Sequence, residues 1–444
     1  MINITNNEES KNIDNILINE YKIAEIILIE NAANAILNSL DLDKYESFII
    51  ACGPGNNGAD GLALARLLNM KNKEVKLICP YNKTIHYDIC KNLNIEFIEK
   101  VEYTDIIIDA LFGTGINDEI KSPYKEIIED INNNRHKAKL ISIDLITEGL
   151  DNVDEVLMLS SYKENMLYMD VKNRVLNIGV NKKYYKKASN KYIVDEDFIK
   201  SITKKISIFA SKKDFGRNTI VAKKGAALLA TRASIRCGAG YTTLLSDAVT
   251  LDKNLIINNE ALNKEINYEI EEKVIAIGPN IGLEDENIEF IEKNLEKDLI
   301  IDADMITVLS KHKEYIPLLN ENTILTPHYV EFCRLTGDSL DSLVSNPFEA
   351  LKRFKTHFKG VVVLKGKNNI IYDGNNFYVV NLGNSKMAKA GMGDTLLGMI
   401  SSYKAQGYSS LNASIIATYK QAKVGKELSE KHESISASMI IDNL

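Results

Sequence analysis

Short β-branched runs that alternate with helical stretches are the feature that most constrains the fold of this chain. Between residues 48 and 180 such runs occupy 48–52, 75–79, 106–109, 140–144 and 175–178. Continuous apolar strands separated by helices are typical of a parallel sheet that is covered on both faces. Upstream, residues 21–40 carry apolar side chains at helical spacing and should cover one edge of that sheet.

A second alternation follows the polar, lysine-rich segment 181–214. Its predicted strands are 219–222, 242–245, 274–277, 299–302, 323–325 and 361–364, then the hairpin strands 370–372 and 377–380, and two helices follow residue 393. Because 444 residues exceed one typical core, we predict an α/β protein with two doubly wound domains. The first is a Rossmann-like parallel-sheet domain, residues 1–200, and the second is an α/β domain, residues 201–444.

The composition argues against several classes of partner. A net charge of -7, with lysines scattered among acidic residues, does not favour a nucleic-acid-binding surface. No apolar run approaches the roughly 18 residues that a membrane span needs. The five cysteines show no metal-ligand spacing, which favours free thiols in a reducing cytoplasm. We therefore expect a cytoplasmic protein without a membrane or nucleic-acid partner.

Polar residues follow three predicted strands of the first domain, at the edge where an open parallel sheet binds ligands. The first strand runs into GPGNNGADG, residues 53–61, whose glycines let backbone amides approach an anion. Carboxylate, amide and hydroxyl oxygens at this edge can form a hard-cation site beside that turn. They belong to Asn56, Asn57, Asp60, Asp109, Asp144 and Thr147. Taken singly, Asp60 fits a helix N-cap and Asp109 a turn former equally well.

The stretch NSKMAKAGMGDTLLGMI, residues 384–400, carries the clearest chemistry of the second domain. Gly391 and Gly393 flank a turn that opens a helix, whose amides can stabilise the charge of a transferring phosphoryl group. Asp394, in the first turn, can accept a proton from an attacking hydroxyl. The alternative for Asp394 is a simple helix N-cap.

Two further clusters point at the same crevice. In LTPHYVE we expect Pro327 to start a helix capped by Thr326, and His328 to point from a strand end toward the crevice. A structural role for His328 stays open. Asp302 and Asp304 end another strand, as crevice lining or as a helix cap.

The first domain resembles the NAD(P)H-hydrate epimerases. The resemblance is carried by YKIAEIILIENAANAI, GPGNNGADGLALARLL and DALFGTG, and it spans roughly residues 15–180. It implies potassium bound by Asn57, Asp109 and Thr147, and it makes Asp144 a catalytic candidate. It also implies contacts with the hydrated dinucleotide by Asn56, Asn57, Gly58, Ala59, Asp60, Gly113, Thr114, Gly115 and Asp144.

The second domain resembles the ribokinase-like, ADP-dependent NAD(P)H-hydrate dehydratases. The matching motifs are, in order, KKDFG, GAALLATRASIRCGAGY, IGPNIG, DADMI, LTPHYVE, VVLKG and GNSKMAKAGMGD. The resemblance implies phosphorylation of the hydrate's ring hydroxyl by ADP, elimination of phosphate, Asp394 as the base, and magnesium on the nucleotide phosphates. The implied hydrate contacts are Ala226, Gly282, His328 and Asp394, and the implied adenine-nucleotide contacts are Lys365, Gly366, Lys367, Asn368, Asn369 and Gly393.

Several positions differ from these families. Ala59 stands where the epimerases have a glycine, and an alanine would resist a positive φ there. Glu148 stands where a glycine lets the ligand approach. In the second domain the loop before Gly225 is short, Met392 replaces a serine, and Gln421 stands where a histidine is common.

Together, the two resemblances predict a bifunctional enzyme of metabolite repair. It would be an isomerase that interconverts R and S NAD(P)H hydrate, joined to a lyase that dehydrates the S form at the expense of ADP. Two alternatives stay open: a small-molecule kinase of ribokinase type, since a GxGD turn serves kinases equally, and a nucleotide-binding scaffold with a decayed epimerase site. Because members of this family often assemble, we also expect a homo-oligomer.

Overall fold

The computed structural model describes residues 1–113, 119–252 and 261–444. They form two compact units: an N-terminal unit, residues 2–190, and a C-terminal unit, residues 191–444 together with Met1. The domain limits 1–200 and 201–444 stay a prediction. No helix among the described residues is both long and apolar enough to cross a membrane.

The N-terminal unit alternates strands with helices. Its strands are β1 Ile2–Thr5, β2 Ser47–Cys52, β3 Glu74–Ile78, β4 Glu96–Phe97, β5 Ile106–Ala110, β6 Lys139–Ile143, β7 Glu155–Leu159, β8 Tyr162–Lys163 and β9 Lys172–Leu176. Its helices are α1 Asn7–Asn15, α2 Glu25–Leu37, α3 Asn56–Met70, α4 Ile85–Asn92, α5 Tyr124–Asn134 and α6 Lys182–Tyr185.

The main sheet of this unit is parallel throughout, in the order β4-β3-β2-β5-β6-β7-β9. Strand β2 is apolar throughout because helices cover both of its faces. Phe48 and Ile50 pack with α2 and α3 on one face, whereas Ile49 and Ala51 pack with α5 on the other. The strand order reverses between β2 and β5. A ligand crevice is expected at such a switch point, outside the carboxyl ends of the two strands.

The C-terminal unit repeats this plan with a mixed sheet. Its strands are β10 Lys191–Ile193, β11 Arg217–Val221, β12 Tyr241–Ser246, β13 Ala261–Glu265, β14 Val274–Ile277, β15 Asp298–Ile301, β16 Ile324–Leu325, β17 Val361–Leu364, β18 Asn369–Tyr372 and β19 Phe377–Val380. Its helices are α7 Glu196–Ile202, α8 Lys224–Arg236, α9 Ala248–Asp252, α10 Ile288–Lys293, α11 Ala303–Lys311, α12 Tyr329–Thr336, α13 Leu340–Ser345, α14 Pro347–Lys355, α15 Met392–Ala405, α16 Ser410–Ser429 and α17 Ala437–Asp442.

The strand order of the C-terminal unit is β13-β12-β11-β14-β15-β16-β17-β18-β19-β10. The strands from β13 to β17 are parallel, and β18 and β19 form the predicted antiparallel hairpin. The order reverses between β11 and β14, which places a second switch point at the carboxyl ends of those strands.

Every strand predicted from the sequence is present, with ends displaced by three residues at most. The prediction missed the strands β1, β4, β7, β8, β10 and β13. Strand β7 follows β6 through a connection without a helix and so breaks the strand-helix alternation on which the prediction relied, whereas β4 and β8 have only two residues each. The prediction of two closing helices was wrong, because the short helix α17 follows α15 and α16.

Candidate functional site

Two glycines, one in the loop after β2 and one in the first turn of α3, lie too close to neighbouring backbone to be replaced by a residue with a side chain. A Cβ on Gly53 would lie 1.7 Å from the carbonyl oxygen of Leu111, and one on Gly58 would lie 1.9 Å from the carbonyl oxygen of Gly53. Both positions therefore require glycine for close backbone packing. This packing places the loop against the segment after β5, at the switch point of the N-terminal sheet.

The structure corrects two expectations about this loop. Helix α3 begins at Asn56 with Gly55 as its N-cap, so Ala59 lies inside a helix, fully buried and without a positive φ. The expectation that an alanine would be resisted there was wrong, because helical backbone accepts alanine readily. Asp60 is also inside the helix and is not its N-cap. Burial raises the pKa of Asp60 well above its usual range, and the nearby carboxylates of Asp144 and Asp14 raise it further.

Asp109, near the end of β5, joins the segment after β5 to strand β6 and to the loop after β6. Its Oδ1 accepts hydrogen bonds from the Leu111 amide at 3.1 Å and the Thr147 hydroxyl at 2.7 Å. Its Oδ2 accepts from the Ser142 hydroxyl at 2.8 Å and the Thr147 amide at 3.1 Å. Complete burial raises the pKa of Asp109, although these hydrogen bonds lower it. Asp109 thus shapes a local turn, as the simpler interpretation held, and also anchors Thr147.

Asn57 is the unusual polar side chain of this site. Both its amide nitrogen and its amide oxygen are buried without a hydrogen-bond partner among the described residues. A Cβ on Gly113 would lie 3.5 Å from the Asn57 side chain and 3.6 Å from Oδ2 of Asp144, so these three residues meet at one point. An unpartnered buried amide is costly and calls for a bound group that satisfies it.

Asp144 is held by a lysine that the sequence analysis did not identify. Nζ of Lys163 lies 3.0 Å from Oδ1 of Asp144, and the Leu159 amide donates to the same oxygen at 3.1 Å. Lys163 is buried and also contacts the hydroxyls of Ser10 and Ser161, each at 3.5 Å. This arrangement holds Oδ1 and leaves Oδ2 toward Gly113.

A cavity of about 470 Å³ joins these residues. Its lining includes Ser10, Asp14, Asn56, Asn57, Asp60, Gly113, Asp144 and Lys163. Sequence reasoning missed Asp14 and Lys163, because neither follows a predicted strand at the ligand edge. Glu148, the other departure, is exposed and does not belong to this lining. Two predicted substrate residues, Thr114 and Gly115, lie outside the described residues.

In the C-terminal unit, a buried ion pair lies beside the start of helix α15. Nζ of Lys365, after β17, is 2.5 Å from Oδ1 of Asp302, after β15. A Cβ on Gly393 would lie 3.3 Å from Nζ of Lys365 and 3.4 Å from Oδ2 of Asp302. The site-lining interpretation of Asp302 is therefore supported, and its side chain makes no capping hydrogen bond to α11.

The first backbone amides of helix α15 lie beside the ion pair of Lys365 and Asp302. Gly391, at φ 91°, is the N-cap, and Asp394 is the third helical residue, so the N-cap interpretation of Asp394 was wrong. The amides of Met392, Gly393 and Asp394 have no intrahelical acceptor and are suited to an anion. Burial raises the pKa of Asp394 to about 6; the Asp302 carboxylate adds to that rise and Lys365 opposes it.

His328 is the N-cap of helix α12, a role that the sequence analysis assigned to Thr326. Helix α12 begins at Tyr329, and His328 caps it: its Nδ1 accepts from the amides of Val330 at 3.1 Å and Glu331 at 3.2 Å. The prediction that Pro327 starts this helix and Thr326 caps it was wrong, because Pro327 precedes the N-cap and the Thr326 hydroxyl donates to the Ile301 carbonyl. His328 still lies beside Lys365 through a parallel backbone bridge.

Two more predicted contacts, Ala226 and Gly282, follow the neighbouring strands β11 and β14. Ala226 is near the start of α8, after β11, and Gly282 follows β14, with its amide donating to Oδ2 of Asp304 at 3.1 Å. These two positions flank the switch point. Asp304 is thereby engaged in holding a loop and does not cap α11.

The segment 365–369 packs closely on the loop that precedes α15. The Gly366 amide donates to Oδ1 of Asn369 at 3.1 Å, and Asn368 is buried. A Cβ on Gly383 would lie 2.3 Å from the carbonyl oxygen of Lys367. Gln421, where a histidine is common, donates to the Met392 carbonyl at 2.8 Å and so supports the start of α15.

Each unit gathers charged side chains at the carboxyl ends of its parallel strands, the edge where doubly wound sheets bind ligands. The fold and these two sites define the class of doubly wound, ligand-binding α/β proteins. Comparison with known proteins refines this. The family described as NAD(P)H-hydrate dehydratase matches residues 221–444, and the family described as YjeF-related protein N-terminus matches residues 25–156. The chain belongs to the NAD(P)H-hydrate dehydratase family.

Similar proteins agree with this assignment. A bifunctional NAD(P)H-hydrate repair enzyme from Dictyoglomus turgidum is 28% identical, over 94% of this chain and 92% of the relative. A ribokinase-like superfamily protein from Enterococcus faecalis has a TM-score of 0.52 at 24% identity, covering 57% of this chain and 94% of its own. The ADP/ATP-dependent NAD(P)H-hydrate dehydratase of Bacillus subtilis, crystallised with ATP and Mg²⁺, has a TM-score of 0.51 at 24% identity, covering 56% and 94%. At this identity the two structures support the fold, which is ribokinase-like as predicted.

Proposed function

We propose that this chain repairs hydrated nicotinamide dinucleotides in two steps. The N-terminal unit interconverts the R and S forms of NAD(P)H hydrate, and the C-terminal unit dehydrates the S form to NAD(P)H at the expense of ADP. Family membership and the full-length similarity to bifunctional repair enzymes support both steps. The observation that carries the proposal is the position of Asp394 in the first turn of α15, beside backbone amides that have no intrahelical acceptor, where burial raises its pKa to about 6.

The C-terminal site suits a phosphorylation followed by an elimination. Asp394 takes the proton of the hydrate's ring hydroxyl as that oxygen attacks the terminal phosphorus of ADP, and AMP leaves. The first amides of α15 bind the transferred phosphoryl group. Phosphate then leaves the ring carbon while the neighbouring carbon gives up a proton, which restores the double bond of the dihydronicotinamide.

The nucleotide would lie along residues 365–369 and the start of α15. The close packing of Lys367 on Gly383, and the hydrogen bond between Gly366 and Asn369, make that segment rigid. The ammonium of Lys365 reaches the position of Gly393 and supplies positive charge for a phosphate. Magnesium would be held mainly by the phosphates of the nucleotide. In the described part of the chain, no group of three or more His, Cys, Asp or Glu is arranged to hold a metal ion.

Potassium fits the N-terminal site through Asn57. Its buried amide oxygen has no partner in the described residues, and an oxygen ligand of that kind suits a hard cation. The Thr147 hydroxyl would be a second ligand, and Asp109 would contribute negative charge while holding Thr147 in place. A bound ion would supply a positive charge that orients the hydrate.

Replacing Asn57 by alanine should remove the potassium dependence of epimerisation. We expect the half-activating potassium concentration to rise about tenfold or more, because one oxygen ligand is lost. The measurement is the rate of R-to-S conversion across a potassium titration at constant ionic strength, with thermal stabilisation by potassium as a second readout. Asn69→Ala, at an exposed position of the same helix, should leave both unchanged. An unaltered titration in Asn57→Ala would remove Asn57 from the ion site.

One assay tests the whole function. We incubate the protein with mixed epimers of NADH hydrate, ADP, magnesium and potassium, and follow recovery of NADH absorbance. Full recovery supports both activities, whereas recovery of only the S share supports the dehydratase alone. No recovery despite nucleotide binding would favour a scaffold, and phosphorylation of an unrelated small molecule instead would favour a ribokinase-type kinase.

Assembly and location complete the proposal. We infer a homo-oligomer, supported by Ile26 and Ile27, which are exposed on helix α2 while the rest of its apolar face is packed. A cytoplasmic location is supported by five cysteines that form no disulfide.

A further inference from the structure

The cavity of the N-terminal unit contains a carboxyl group that neither family resemblance assigns. Asp14 lies near the end of helix α1 and lines the cavity together with Asp60, Asp144 and Lys163. Three carboxyl groups thus share a space of about 470 Å³ with one buried ammonium group. Carboxyl groups in one site whose surroundings differ are candidates for separate acid and base roles.

Asp144 is placed to act as a base. Its Oδ1 is held by Nζ of Lys163 at 3.0 Å and by the Leu159 amide at 3.1 Å. Its Oδ2 is directed toward Gly113, where a Cβ would lie only 3.6 Å away. A carboxylate paired on one oxygen keeps a lone pair on the other oxygen for a proton from the cavity.

Asp14 is placed to act as an acid. No hydrogen bond or ion pair engages its carboxyl group among the described residues, and its side chain reaches solvent at the mouth of the cavity. The protein packed around it nevertheless raises its pKa to about 6, mainly by burial; Lys163 opposes this rise, and Asp144 and Glu25 add to it. The charged and titratable groups that face it are Lys163, Asp144, Glu25, Asp60 and Tyr185.

We propose that Asp14 is the proton donor of the epimerisation, opposite Asp144 as the proton acceptor, an inference that rests on the epimerase function proposed above. The two groups come from different elements, helix α1 and the loop after β6, and line the same cavity. Lys163 is a positioning residue, because its ammonium group holds Oδ1 of Asp144 and its positive charge also acts on Asp14.

The proposed step balances in atoms and electrons. The hydrate carries its hydroxyl on the ring carbon next to the ring nitrogen. Asp14 gives its proton to that hydroxyl, the C–O bond breaks, and the nitrogen lone pair forms a C=N⁺ bond as water leaves. Water then adds to the other face of the same carbon and gives a proton to Asp144. The C=N⁺ electrons return to nitrogen, and the two carboxyl groups recover their starting protons through solvent, which Asp14 contacts.

The test is the interconversion of pure R hydrate without ADP, so that no dehydration takes place. In Asp14→Asn we expect kcat for epimerisation to fall about 100-fold or more with little change in KM, as for loss of a general acid. Wild-type kcat should fall as pH rises above about 6, because the donor must be protonated, and Asp14→Asn should lack this dependence. Asp14→Glu should recover part of the rate, and Glu8→Gln, an exposed carboxyl of the same helix, should behave as wild type.

The outcomes separate this proposal from the one on which it rests. Wild-type kcat in Asp14→Asn, or an effect confined to KM, overturns the role of Asp14 while epimerase activity stands. Wild-type protein that does not interconvert the epimers overturns the epimerase function itself. Dehydration of the pure S epimer by Asp14→Asn should equal that of wild type, and a parallel loss of both activities would mean that the substitution damages the fold instead of removing a proton donor.

Discussion

Replacing Asp394 by asparagine should lower kcat for ADP-dependent dehydration of the S hydrate by about three orders of magnitude. A general base contributes roughly 10² to 10⁴ to a rate, and asparagine keeps the shape of the residue without the ability to take a proton. The start of α15 stays intact because Gly391, which has a positive φ, is its N-cap. The loss should therefore be in kcat, with ADP binding preserved, as measured by calorimetric titration.

The pH dependence and the stability of this variant add a sharper test. The wild-type base must be ionised, so dehydration should rise with pH through about 6 and reach a plateau above it. The pKa of Asp394 is higher in the folded protein than in the unfolded chain, so the folded protein binds this proton more tightly. That proton binding stabilises the fold at low pH, and the stabilisation is lost as pH rises through about 6. At pH 7.5 Asp394→Asn should therefore be at least as stable as wild type.

A second Asp-to-Asn substitution, at an exposed position, is the control for a nonspecific effect of removing a carboxylate. Asp285 is an exposed carboxyl that pairs with Lys311 on the surface, and Asp285→Asn should leave dehydration unchanged. Residual activity in Asp394→Asn within tenfold of wild type would remove Asp394 as the base. The pair Asp302 and Lys365 would then be the next candidate for the proton acceptor.

Replacing Gly58 by alanine should abolish epimerisation and destabilise the N-terminal unit. The new Cβ would lie 1.9 Å from the carbonyl oxygen of Gly53, so the loop after β2 has to move away from helix α3. Overpacking of this kind costs roughly 1 to 3 kcal/mol in the free energy of unfolding. The same clash would strain the first turn of α3 and displace Asn57, which lies in that turn, from Gly113 and Asp144. Urea denaturation followed by circular dichroism, with the R-to-S assay, measures both effects.

The neighbouring position is the control for Gly58. Ala59→Gly restores the residue of the related epimerases at a helical position, where glycine costs about 0.5 to 1 kcal/mol relative to alanine. Its epimerase activity should stay near wild type, since Ala59 is buried in helix α3 away from the cavity lining. A catalytic gain in Ala59→Gly larger than about tenfold would show that the departure at this position limits the enzyme. In both variants dehydration of the S epimer should be unchanged.

The sequence predicted the strands of both sheets well because a strand buried on both faces is apolar at every position. Ile106, Ile107 and Ile108 in β5 are an example, and all three are fully buried. It failed at strands that are short or polar, as in β4 and β13, and at β7, which does not follow a helix. It also failed where two polar residues compete for one cap, as with Thr326 and His328. Such competition is decided by a few ångströms of backbone geometry, which residue types alone do not specify.

The candidate sites follow the same division. Asn57, Asp109, Asp144 and Asp394 were predicted because each follows or begins an element at a ligand-binding edge. Asp14 and Lys163 were not, because helix α1 and strand β8 bring them to the cavity from outside the main strand-helix alternation. Only tertiary packing assembles groups of that kind.

The sequence by itself determined the alternation of strands and helices, the family, and the residue types at the strand ends. These are local properties, since apolar patterning and glycine-rich turns act over a few neighbouring residues. Only the tertiary structure decided that Ala59 is helical, that the buried amide of Asn57 has no partner among residues 1–113, 119–252 and 261–444, and that Lys163 pairs with Asp144. The reason is physical: burial, charge pairing and close backbone approach depend on which distant segments meet, and folding alone settles that.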